Sequence, residues 1–147
     1  SGMAISKDHW LLNKINDNCV FEIIDSMSEI ELNNYAVSFF EMFHEIETYG
    51  IGFSANGTML FQYLADTAWN VGLLPYFYKG SKVIICDING TGVTQNKVHM
   101  GIEDIERNID FTKLGKSKIF GTHLSRSIKS NNKHVKIATI GQTISFS

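Results

Sequence analysis

The chain has 147 residues, 44% of them hydrophobic and 19% charged, with a net charge of −2. That length and apolar content supply the core of one domain and exclude a disordered or polyelectrolyte chain. No apolar run approaches the roughly 18 residues that a bilayer-spanning helix needs, and no secretory signal is visible. A soluble, cytoplasmic protein with no membrane partner is therefore expected.

Ser1-Gly2-Met3 reads as a cleavage remnant ahead of a start methionine, leaving 4–147 as a single α+β domain. Asp8 to Asp17 is a short amphipathic helix candidate carrying Trp10, Leu11 and Ile15, and the CVFEIIDSM that follows reads as strand or helix. Ser28-Glu29-Ile30-Glu31 has the form of a capping box. Behind it Leu32, Tyr35, Ala36, Phe39, Phe43 and Ile46 recur at three- and four-residue steps up to Gly50, which predicts a helix of roughly five to six turns. SANGTMLFQYLADTAWNVG predicts a second long helix ending at Gly72, its buried stripe made of Leu60, Phe61, Leu64, Ala65, Ala68 and Trp69.

Strand signals follow in PYFY, KVIICDI and GVTQNKV. Asn89-Gly90 lies between the last two and is the favoured pair for a type I′ hairpin, which would set Asp87 opposite Gly92 and Cys86 opposite Val93. A helix is predicted over 102–110, a strand at KSKIF, a polar helix or loop over 123–130, and final strands at HVKIATI and TISFS joined by an IGQT turn. The expected fold is α+β, with two long N-terminal helices packed on a mainly antiparallel sheet that contains the Asn89-Gly90 hairpin.

The motifs argue against a metal or cofactor. A calcium loop counted from Asp87 finds Val98 where a bidentate glutamate is required. Gly90-Thr91-Gly92 has neither the lysine of a phosphate loop nor the third glycine of a dinucleotide turn. Glu41-Met42-Phe43-His44 matches one E-x-x-H unit without the second that a di-iron bundle needs. His44-Glu45 opens an H-E-x-x-H that ends in Thr48. Cys19 and Cys86 lack C-x-x-C spacing and read as free thiols in a reducing compartment.

The charge is unevenly spread. Residues 1–60 hold nine acids against two bases, and 61–147 hold six against eleven. This split, with no convergent catalytic set, favours a non-catalytic bacterial or phage immunity protein or inhibitor. Its acidic helical face would block a basic toxin or nuclease through Glu41, Glu45 and Glu47, with Glu29 and Glu31 as outliers. The competing reading is a small metal-independent phosphodiesterase or ribonuclease, with His123 and His134 as acid and base and Arg126 and Lys129 holding phosphate. Nucleic acid is a partner under that reading alone. A third reading is a homodimer paired through the edge of TISFS.

Overall fold

The computed structural model of the chain describes residues 28–90, 98–123 and 132–145. Its framework is one mixed sheet of seven strands in sequential order. The strands are β1 (Glu29–Leu32), β2 (Tyr35–Glu41), β3 (Tyr49–Ala55), β4 (Thr58–Tyr63), β5 (Val83–Asp87), β6 (Lys118–Thr122) and β7 (Val135–Ile137). The first four form an antiparallel meander, while β4 to β7 run parallel. Two short helices, α1 (Leu74–Tyr78) and α2 (Ile102–Asn108), lie in the crossovers.

The two long N-terminal helices are thus replaced by strands, and the reason is local. Asn33 has φ of +58°, and Asn56 and Gly57 have +48° and +72°. A right-handed helix cannot pass through such residues, whereas a tight hairpin requires them. Asn56-Gly57 is the turn that joins β3 to β4. The capping-box serine is part of the ladder instead, its carbonyl accepting the Phe39 N–H at 3.3 Å. Tyr35–Glu41 (YAVSFFE) carries apolar residues at both odd and even positions, so the three-and-four spacing read from it is accidental.

The Asn89-Gly90 hairpin is not seen among the described residues, where β5 is held by parallel ladders to β4 and β6. Past its end, Asn89 bridges Gly101 and the Gly90 N–H donates to the Met100 carbonyl at 2.9 Å. PYFY is helix α1 rather than strand, with Pro75 in the first turn, where its missing N–H costs nothing. TISFS contributes no strand among its described residues, and the turn before it is closed by the Gln142 N–H on the Thr139 carbonyl at 3.1 Å. The predicted elements over 8–27, and most of GVTQNKV and of 123–130, lie outside the described residues.

One face of the parallel half carries the core. Leu64, Leu73, Phe77, Ile84, Cys86, Ile88, Met100, Ile105 and Ile119 are all fully buried there. No helix among the described residues is long and apolar enough to cross a membrane. The free thiol of Cys86 packs into this core and is pushed above its ordinary pKa by burial, then by the Asp87 charge. Gly90 sits where a Cβ would stand 2.5 Å from the His99 carbonyl oxygen and 2.6 and 2.8 Å from the next backbone atoms. Replacing Gly90→Ala should therefore push the 98–101 segment off the end of β5. A loss of about 1–3 kcal/mol is expected in urea unfolding, and unchanged stability would contradict this close approach.

Candidate metal centre

Strands β4, β5 and β6 end side by side, and in open sheets ligands bind beyond the carboxyl ends of parallel strands. Polar residues follow each of these apolar strands at that edge. Asp66 lies three residues past the end of β4, Asp87 is the last residue of β5, and His123 is the first after β6. His99 joins them from the 98–101 segment, which is pinned by the Gly90 contact and by the Met100 N–H on the Thr67 carbonyl at 2.7 Å. One ligand atom from each of Asp66, Asp87, His99 and His123 lies within 4.8 Å of all the others.

The contacts within the group are direct. His99 Nδ1 meets Asp87 Oδ2. His123 Nδ1 is 2.8 Å from Asp66 Oδ1 and 3.6 Å from Asp87 Oδ1. The Asn89 N–H donates to Asp87 Oδ1 at 2.8 Å. Side-chain exposure rises from 1% at Asp87 through 20% at His99 to 39% and 44% at Asp66 and His123, so the group has a buried floor and an open mouth. Burial pushes the Asp87 carboxyl above its ordinary pKa, against the opposing pull of the Asn89 N–H, His99 and His123. The Tyr63 phenol is raised by burial and then by the charges on Asp66 and Asp87, which marks it as a neutral neighbour of the two carboxylates. The backbone is strained beside the site, with φ of +28° at Ala65 and +60° at His123.

This donor set suits a divalent cation. Two imidazoles and two carboxylates match zinc, iron(II) or manganese. Among the described residues the ion-pair partners of Asp87 are imidazoles, and no lysine or arginine of these residues pairs with it. Cys86 takes no part, since its side chain turns into the core, 3.8 Å from the Phe120 carbonyl.

No family model matches the chain, and no curated protein is similar to it in sequence. Solved structures are similar in fold. The metallo-β-lactamase fold protein YhfI from Bacillus subtilis superimposes with a TM-score of 0.57 at 16% identity, covering 69% of this chain and 41% of that one. This chain has the metallo-β-lactamase fold. The isothiocyanate hydrolase from Delia radicum gut bacteria gives a TM-score of 0.64 at 12% identity over 86% of this chain and 59% of its own. Human tRNase Z, short form, gives 0.53 at 20% identity over 74% and 41%. The chain thus spans between two fifths and three fifths of the length of these proteins.

The structure redistributes the residues singled out from sequence. Glu29 and Glu31 lie on β1, the outermost strand among the described residues, Glu41 ends β2, and Glu45 and Glu47 stand exposed on the 42–48 loop. They share no helical face, because the helix that would carry them does not exist. Together with the fold shared with YhfI and the isothiocyanate hydrolase and with the four-residue cluster, this overturns the reading as a toxin-neutralising immunity protein. Of the alternative catalytic set, His123 enters the cluster, whereas Arg126 and Lys129 lie outside the described residues. His134 stacks on Phe111 at 5.0 Å, and its carbonyl accepts the Ile119 N–H near the start of β6. It is therefore about 13 Å along the strand from His123, and the two histidines do not form an acid–base pair.

Asp66 and His99 were missed, although an acid or imidazole closing each of several apolar strands is a visible signal. The raised pKa of Asp87 favours the metal-free fold below the ordinary carboxylate value, and that contribution is lost as pH rises through the folded value. Thermal unfolding in chelator should accordingly show a melting temperature that falls over this acidic window in the wild type but not in Asp87→Asn. Zinc should raise the melting temperature of the wild type alone; an equal rise in Asp87→Asn would remove Asp87 from the centre.

Proposed function

We propose that this chain forms the cation-binding part of a metal-dependent hydrolase. The observation that carries the reading is the convergence of Asp66, Asp87, His99 and His123 at the carboxyl edge of the parallel strands. The similar folds include a protein named as an isothiocyanate hydrolase and one named as tRNase Z, which supports hydrolysis as the reaction class. A cation held by these four residues supplies Lewis acidity toward a carbonyl or phosphoryl oxygen.

The chain's own residues set the remaining conditions. Asp87, fixed by the Asn89 N–H and His99, forms a rigid, buried floor. Asp66 and His123 border the mouth, so a substrate reaches the centre from their side. His123 stays oriented by Asp66 Oδ1, which holds its Nδ1 edge toward the two carboxylates. Tyr63, kept neutral, is available as a hydroxyl donor beside them. The metal-independent ribonuclease arrangement is not retained, because His134 stands at the other end of β6.

Protein stripped with chelator and reloaded with zinc or manganese should retain the cation through dialysis, as read by atomic emission. It should then hydrolyse at least one of bis(p-nitrophenyl) phosphate and p-nitrophenyl acetate. His99→Ala and Asp87→Ala should lower that turnover by about 100-fold or more. Turnover indifferent to chelator, or no cation retained by the wild type, would contradict the proposal.

A further inference from the structure

In the 42–48 loop between β2 and β3, Met42 enters the core, and of the five residues that follow it only His44 is not exposed. Phe43 and Ile46 are 41% and 70% exposed, and Glu45 and Glu47 are also exposed, whereas His44 is half-buried. Its ring stands edge-on to that of His99, with centroids 5.9 Å apart, and His99 stands in the same way to His123 at 5.0 Å. Three imidazoles thus form a row with His99 in the middle, and of its two outer members His123 belongs to the four-residue cluster and His44 does not.

The hydrogen bonding of His44 gives it a different role from the other two. Its Nδ1 accepts the Ile46 N–H at 3.4 Å. A neutral imidazole whose Nδ1 is an acceptor carries its proton on Nε2, so His44 offers a donor rather than a lone pair to the site. The loop that carries it is anchored. The Met42 N–H bonds the Thr48 carbonyl at 2.8 Å, the Phe43 N–H bonds Thr67 Oγ1 at 3.1 Å, and the Ala68 N–H bonds the Phe43 carbonyl at 2.7 Å. A donor held this way needs no reorganisation when negative charge arrives beside it, which is what an oxyanion site requires.

We infer that His44 forms an oxyanion subsite beside the metal centre, its Nε2–H donating to an anionic oxygen, phosphoryl or carboxylate, of the substrate. The subsite rests on the hydrolase reading for its purpose, but its binding chemistry is measurable without turnover. Cation content is expected to be independent of His44, because His44 is not a ligand. Glutamine at this position retains both functions, an Oε1 acceptor for the Ile46 N–H and an amide donor. Phenylalanine keeps a ring against His99 and loses the donor.

The test compares the zinc-loaded wild type with His44→Ala, His44→Phe and His44→Gln, by atomic emission, thermal unfolding and calorimetric titration with inorganic phosphate and, separately, acetate. Equal zinc content and similar melting temperatures are expected throughout. Anion affinity should weaken about tenfold or more in the alanine and phenylalanine variants and recover in the glutamine variant. A loss confined to phosphate assigns the subsite to phosphoryl groups, and a loss confined to acetate assigns it to carboxylates. Equal anion affinity in all four proteins would overturn the inference. So would zinc loss in His44→Ala, which would make His44 a ligand. His44-dependent phosphate binding in a protein that hydrolyses neither test ester would instead count against the hydrolase reading and leave the subsite standing.

Discussion

A carboxylate buried at the end of a central strand has to be compensated, and the carboxyl edge of this sheet is arranged around that requirement. Asp87 is 1% exposed. Stripping the partners from a buried charge costs about 3–5 kcal/mol. The compensation comes from a backbone N–H two residues on, from one imidazole across the 98–101 segment and from another past β6. None of these is a permanent cation. The fold therefore presents a concentrated negative site whose partners are themselves potential ligands, a combination that suits a removable divalent ion better than a structural salt bridge.

Thr67 connects that centre to the rest of the mouth. It is fully buried and adjoins Asp66 in sequence. Its carbonyl accepts from Met100, next to His99, and its hydroxyl accepts from Phe43, next to His44. One side chain and its peptide thus fix the relative positions of three segments far apart in the chain. The strain at Ala65 and His123 brackets the same region, consistent with a backbone bent to aim side chains rather than to optimise its own dihedrals.

The parallel half was partly legible in the sequence, and the antiparallel half was misread. KVIICDI and KSKIF read as strands and 102–110 as a helix, and the structure has β5, β6 and α2 at these places. The first half failed because the Asn-Gly rule was applied to the wrong copy. Asn56-Gly57 makes the left-handed turn, whereas Asn89-Gly90 lies against a backbone bridge that no local rule reveals. In β2 the apolar residues fall on both faces, and such a strand is indistinguishable by period from an amphipathic helix.

The site was legible one residue at a time and not as a constellation. Asp87 and His123 were both singled out, each with the wrong companions, because the companions are chosen by parallel pairing across crossovers of many residues. The charge asymmetry misled in a similar way. Among the described residues, Lys82, Lys113, Lys116 and Lys133 precede β5, β6 or β7 and Lys118 opens β6, so these lysines lie toward the amino ends of the parallel strands, away from the candidate metal centre. Among the described residues, the groups near the centre that could meet an anion are therefore short-range donors rather than these lysines. A half-buried imidazole on an anchored loop is one such donor, held in place before any charge arrives.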